Sequence, residues 1–203
     1  MSSMSHFFAY LSRMKLIERW SLMYNTRKEN VQEHSLQVAI IAHALAVIKN
    51  KYFDGDVDTS RVALMALFHD ATEVITGDLP TPVKYFNSEI KTAYKDIEAY
   101  AGEQLLKLLP RDLRPEYSRL LQLAPEDKNN SRLIKQADIL CAYIKCLEEA
   151  AAGNREFEKA RKSLEHRLAE ESEPQVQYFI EHFLPSFSLS LDELSDPFAH
   201  PMN

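Results

Sequence analysis

The sequence predicts an all-α fold of six to eight helices around a buried core, and three observations carry that prediction. Glycine is scarce: Gly55, Gly77, Gly102 and Gly153 stand far apart, which argues against a turn-dense β architecture. The same scarcity excludes both the P-loop and the G-x-G-x-x-G dinucleotide turn. Long stretches rich in Ala, Leu, Glu and Lys favour helix. Apolar residues recur at three- and four-residue spacing in one segment after another. A chain of 203 residues has the size of one domain and buries roughly 70% of its unfolded surface without staples. No repeat, low-complexity tract or shift in composition divides it. The expected organisation is a single domain over 1–203, with a core at about 5–195 and a C-terminal tail at 196–203.

The first helix is expected at 5–18, capped by Ser5, with Phe7, Phe8, Leu11 and Ile17 inward. A polar connector, 21–30, follows Arg19-Trp20. The second helix, 31–50, carries the stripe His34, Val38, Ile41, Leu45, Ile48. Leu36, Ile40 and Val47 on its other side are also apolar, which predicts a central helix. Asp54-Gly55-Asp56 is a turn. Asp58, Thr59 and Ser60 offer caps for a third helix, 61–75. Pro80 and Pro82 keep 76–82 out of helix. Asn87 caps a fourth helix with Ile90, Tyr94, Ile97, Ala101, Leu105 and Leu108 inward, stopped by Pro110. A short helix follows Pro115, and 127–130 is a polar break. Ser131 caps a helix that ends at Gly153, a natural position for a left-handed residue. A charged, partly solvated helix covers 157–171, Pro174 and Pro185 bracket a short one, and 188–203 shows little periodicity.

Charge and cysteine content narrow the function classes. The net charge of −6 disfavours a duplex nucleic-acid binder, which needs a basic face. Cys141 and Cys146 point about 140° apart on a helix and should not pair. They read as reduced core thiols of a cytosolic protein. The first twenty residues hold no signal-like apolar block. The most apolar run, 38–48, is too short to cross a bilayer. The expectation is a cytoplasmic protein with no membrane or nucleic-acid partner.

Three helices each bury metal-competent groups. His69-Asp70 follows the apolar run 62–68, His34 lies on the stripe of the second helix, and Asp138 shares a face with Ile134 and Cys141. A carboxylate buried without a partner costs several kcal/mol, so Asp70 and Asp138 need a cation or a hydrogen-bond network. Two imidazoles and two carboxylates make a mixed nitrogen/oxygen site for a divalent transition ion. Each residue alone also reads as a satisfied core histidine or a structural hydrogen-bonding aspartate. His43, in the same apolar helix as His34, is expected not to be a ligand.

The order His34 … His69-Asp70 … Asp138 is the H…HD…D signature of the HD-domain metallophosphohydrolase superfamily, which the sequence resembles. More closely, Arg19-Trp20, the segment from Glu29 through His34 to Ser35, His69-Asp70-Ala71-Thr72-Glu73, the segment from Gly77 to Lys84 and Lys135-Gln136-Ala137-Asp138 are similar to the bacterial HD-domain 5′-deoxynucleotidases. The resemblance implies an HD-domain helical bundle around a buried metal site. It implies a metal-dependent phosphomonoesterase that removes the 5′-phosphate from deoxyribonucleoside 5′-monophosphates. It also implies one divalent ion such as cobalt or manganese, and a homodimer. By matching positions the metal ligands are His34, His69, Asp70 and Asp138. Glu73 and Asp78 match catalytic positions. Arg19, Trp20, His34, Asp70, Asp78, Leu79, Pro80 and Thr81 match substrate-contacting ones.

The residue chemistry leaves alternatives beside those roles. Glu73, placed by helical spacing near His69 and Asp70, can orient a water or take its proton, or it is a surface glutamate paired with a lysine. Arg19 offers a planar fork for phosphate or a base edge, or it satisfies a helix C-terminus. Trp20 walls off the space of a 2′-hydroxyl, or simply packs. Asp78 binds sugar, assists proton transfer, or only forms a turn. Only Arg19, Lys84 and Lys135 supply positive charge near the motifs, which favours a monophosphate over a larger substrate. Another HD-type hydrolase, or a scaffold that has lost chemistry, are the rival classes.

Overall fold

The computed structural model describes residues 4–84, 86–122 and 127–195. Among these residues it is all-α, with α1 (Phe7–Leu11), α2 (Val31–Tyr52), α3 (Thr59–Leu67), α4 (Glu73–Thr76), α5 (Thr81–Lys84) and α6 (Ser88–Lys107) in the first half. In the second half come α7 (Arg114–Leu121), α8 (Lys128–Ala151), α9 (Glu158–Ala169), α10 (Pro174–His182) and α11 (Leu191–Leu194). Seven of these have eight residues or more, within the range the periodicity predicts. The remaining four are single turns.

The main core forms where α2, α3, α8 and α10 meet. Val38, Ile41, Leu45 and Ile48 of α2 pack with Val62 and Met65 of α3, Leu133, Leu140 and Ile144 of α8, and Val176 and Phe179 of α10. Full burial of a side chain such as Leu45, Leu140 or Ile144 contributes roughly 1.5–3 kcal/mol. A second cluster, Phe7 with Leu105, Leu106 and Leu109, takes in Val74 of α4 and Tyr117 of α7. The caps follow expectation at two helices, where the side chains of Asp58 and Asn87 accept from the amides of Arg61 and Ile90, and Asn30 caps α2 by accepting from Glu33. Gly153, at φ 81°, turns the chain after α8.

Several expectations are corrected. The first helix does not reach residue 18. It tightens into a 3₁₀ segment, Ser12–Leu16, and Ile17 is extended. The reason is a competing pairing: Val31 N–H donates to the Ile17 carbonyl and Arg19 N–H to the Glu29 carbonyl, around an antiparallel bridge of Glu18 with Asn30. Ser5 is not the cap; His6 takes that position, and Ser5 Oγ donates to the Leu108 carbonyl. Phe8, expected inward, is exposed, as are Ile90 and Ile97. Leu36, Ile40 and Val47 are exposed too, so α2 buries one side and presents an apolar face outward. Ser131 does not cap α8; its hydroxyl donates to the carbonyl of Asp127, the N-cap. Pro82 sits in the first turn of α5, where a missing N–H is tolerated. Leu191–Leu194 forms a turn of helix with a Ser190–Glu193 capping box, where little periodicity was visible. The remainder of the expected tail, 196–203, lies outside the described residues.

The third helix is the correction that matters for function. It ends at Leu67, so His69-Asp70 lies in a tight turn before α4 rather than inside a helix. In a continued helix the Ala66 carbonyl would accept from the amide of Asp70. Here it accepts from the amide of His69 at 3.3 Å and faces His69 Nδ1 at 2.7 Å. The imidazole thus takes the acceptor that the next helical residue would need. By length and composition α2 could cross a membrane, but it is the core helix, with ten residues buried against its neighbours.

Candidate metal and active site

The site is built at the N-terminal end of α2, the α3–α4 turn and the middle of α8. His34 is fully buried on the inward stripe of α2. Its Nε2 lies 3.2 Å from Asp138 Oδ1 and 3.7 Å from Asp70 Oδ2. His69 Nε2 lies 3.0 Å from the same Asp70 oxygen. Ligand atoms of His34, His69 and Asp70 all fall within 4.8 Å of one another. Asp138 touches His34 from α8 but stands outside that trio, and its second oxygen accepts from Lys135 Nζ at 2.6 Å. His43 is on the outward side of α2.

None of these close approaches satisfies the imidazoles. His34 Nδ1 and Nε2 and His69 Nε2 are buried without a hydrogen-bond partner. Buried polar atoms are nearly always paired, so three unpaired ring nitrogens beside two carboxylates fit a cation. The Ala66 carbonyl fixes the proton of His69 on Nδ1 and leaves the Nε2 lone pair toward Asp70. Burial holds the pKa of His34 below its usual value, the neutral state a metal ligand needs. His69 is raised: burial opposes its cation, but the charge and hydrogen bond of Asp70, the charge of Asp138 and the Ala66 carbonyl together outweigh burial. Burial also opposes ionisation of Asp70, yet His69 and His34 pull it to about 2.

Arg19 and Glu73 flank this group. The Arg19 guanidinium donates from Nε to Glu29 at 3.0 Å and approaches Asp70 Oδ2 at 3.7 Å through Nη1. Burial disfavours its charge, but Glu29, Asp70, Asp138 and Asp78 hold it above its ordinary value. Glu73 opens α4 and is buried, with Oε2 unpaired, so the paired surface glutamate is excluded. Burial, then the charges of Asp70 and Asp78, push it up to about 9. Asp78 is raised by burial against the pull of Arg19. It follows Gly77, whose φ of 72° turns the chain out of α4. Leu79 and Pro80 are half-buried on that loop and Thr81 is exposed. Lys84 donates to Glu98 at 2.7 Å and lies over the Tyr94 ring. Trp20 packs on Phe157, ring centroids 5.3 Å apart, with its Nε1 buried and unpaired. Sequence reasoning missed Glu29 as the partner that orients Arg19; a carboxylate in a polar connector carries no signal of burial.

The YfbR-like 5′-deoxynucleotidase family profile matches residues 6–187. The chain belongs to this family. A 5′-deoxynucleotidase of Cronobacter sakazakii is 57% identical over 193 residues, covering 95% of this chain and 97% of that one. One from Yersinia pseudotuberculosis is 56% identical over 192 residues, covering 95% and 98%. Among solved structures, an HD-domain phosphohydrolase from Listeria innocua superposes with a TM-score of 0.77 at 24% identity, over 90% of this chain and 88% of that one. A cyanophage S-2L HD phosphohydrolase, bound to dA and one catalytic Zn²⁺ ion, superposes with a TM-score of 0.58 at 21% identity, over 88% and 95%. These neighbours share the HD-type all-α fold. As a member of the 5′-deoxynucleotidase family the chain is a hydrolase.

Proposed function

We infer that this chain removes the 5′-phosphate from deoxyribonucleoside 5′-monophosphates, giving deoxynucleoside and phosphate, at the group formed by His34, His69, Asp70 and Asp138. The observation that carries the site is the set of unpaired buried ring nitrogens of His34 and His69 beside two carboxylates. Such a donor set suits one divalent transition ion, cobalt, manganese or zinc-like. When bound, the ion supplies positive charge to the phosphoryl oxygens and acidifies the attacking water. Arg19, held by Glu29, binds phosphate through its remaining donors. With its pKa at about 9, Glu73 rests protonated at neutral pH; a cation held beside Asp70 would draw that value down, and as the carboxylate Glu73 orients the water and takes its proton as oxygen attacks phosphorus. The bond from phosphorus to the 5′-oxygen breaks, and the proton that Glu73 took returns to that oxygen by way of Asp78, whose proton affinity burial raises. Leu79, Pro80 and Thr81 line the nucleoside side. Trp20 occupies the space a 2′-hydroxyl would need.

The protein works in the cytoplasm as one domain over 1–203 and as a homodimer. The exposed apolar face of α2, Leu36, Ile40 and Val47, supports the dimer. The test is phosphate release from paired ribo- and deoxyribonucleoside 5′-monophosphates, after chelation and with single metals added back. Release from the deoxy series that returns with metal is expected. Release that ignores metal, or treats both sugars alike, overturns the reading.

A further inference from the structure

The connector that carries Arg19 and Trp20 has little regular structure of its own, yet it is fixed by two buried charges near the far end of α8. Lys145 is 4% and Glu149 1% exposed. Glu149 accepts from the backbone amides of Thr26 at 3.0 Å and Arg27 at 3.3 Å, from the Thr26 hydroxyl, and from Asn154 Nδ2 at 2.7 Å. Lys145 Nζ donates to Glu149 and, at 2.5 Å, to the Arg27 carbonyl. Asn154 Nδ2 also donates to the Tyr24 carbonyl at 2.7 Å. Behind the connector, Lys145 Nζ sits 5.5 Å from the centroid of the buried Phe157 ring. Phe157 is the surface on which Trp20 rests.

Two physical arguments make this more than core filling. A buried ion pair is weak evidence for stability, because apolar residues of similar volume often serve as well. What this pair adds is direction: apart from the bond between them, three of its bonds end on the backbone of Thr26 and Arg27, one on the Thr26 hydroxyl and one on Asn154. Trp20 itself has φ 55°, a left-handed conformation that is strained for a bulky residue and persists only when its surroundings impose it. Asn25 Nδ2 holds the Trp20 carbonyl at 3.1 Å, so the imposed turn is continuous with the stretch that Glu149 and Lys145 clamp.

We propose that Lys145 and Glu149 are positioning residues for sugar selection: they lock the connector and, through Phe157, fix the Trp20 indole against which the nucleotide sugar is measured. The proposal rests on the reading of Trp20 as the wall against a 2′-hydroxyl. Trp20 is the sole tryptophan of the chain, so its fluorescence reports the indole's confinement without any turnover. Glu149→Gln weakens the clamp, and Thr26→Val removes the hydroxyl from which Glu149 accepts while leaving both buried charges and the Phe157 turn in place. The second variant keeps the test open if the first fails to fold. In each folded variant a red-shifted emission and a loss of protection against acrylamide are expected. The deoxyribo-to-ribo ratio of kcat/KM should fall about tenfold, within the ~10²-fold scale of hydroxyl rejection by exclusion, while bound metal per chain stays at the wild-type value. Wild-type fluorescence in both variants overturns the proposal. So does a loosened indole with an unchanged sugar ratio when Trp20→Ala itself shifts that ratio. A wild-type ratio in Trp20→Ala sinks the sugar-wall reading instead, and selection by the pair with it; fluorescence then still decides whether the pair positions the indole.

Discussion

Glu73 is a carboxyl group placed where its charge is unwelcome: buried, unpaired at Oε2, and raised to about 9 by burial and by Asp70 and Asp78. Such a group takes or gives a proton readily when the local charge changes. Glu73→Ala is expected to lower kcat by about 10²-fold or more, the usual scale of general acid–base help, with metal content per chain unchanged. Near-normal turnover would pass the role to Asp78. His34 and Asp138 stood out as candidates in the sequence because each interrupts an apolar stripe, and His69-Asp70 because it follows the apolar run 62–68; a polar group there needs a reason. Lys145 and Glu149 did not. Four apart on a helix, they look like an ordinary surface pair, and only the docked connector makes that face an interior.

At the scale of elements, α2, α6 and α8 were legible because twenty residues or more keep one period. The failures are places where tertiary partners outbid local preference. Nothing between 61 and 75 breaks a helix by composition, yet the His69 ring claims the Ala66 carbonyl and α3 stops. That break is what brings His69 and Asp70 under α2. The first helix fails similarly, since residues 17–19 pair with 29–31. The same pairing makes Asn30 a junction: it bridges Glu18 and caps α2, one turn before His34. Loss of such a cap costs about 1 kcal/mol. Asn30→Ala should therefore lower the unfolding free energy in urea by about that amount and weaken metal binding through a loosened His34. Unaltered metal affinity would show that α2 is held in register by core packing alone.

At the scale of the molecule, stability should depend on both ligand and pH. An ion that binds only the folded chain stabilises it by about 2.7 kcal/mol at a hundredfold excess over Kd, so chelation should lower Tm, and metal should restore it. Hydrogen bonds from Lys145, Thr26 and Asn154 outweigh burial and hold Glu149 well below the ordinary 4.5. A depressed carboxylate stabilises fully above its unfolded pKa and loses that contribution as pH falls through the acid range. Below about pH 4.5 wild-type stability should thus fall more steeply than that of Glu149→Gln. The outward face of α2 raises a separate question. Leu36, Ile40 and Val47 are exposed at 55, 62 and 43%, on a helix whose opposite side is the core. Contiguous apolar surface on a globular protein marks a contact. In a two-fold dimer this face would meet its own copy, so one substitution enters the interface twice. Ile40→Glu would bring like charges together in a desolvated contact, which costs several kcal/mol, while leaving the buried stripe of His34, Val38 and Ile41 untouched. Light scattering at micromolar concentration should find the wild type dimeric and Ile40→Glu monomeric, with helix content by circular dichroism the same for both. A wild type that is monomeric, or a variant that stays dimeric, would remove this face from the assembly.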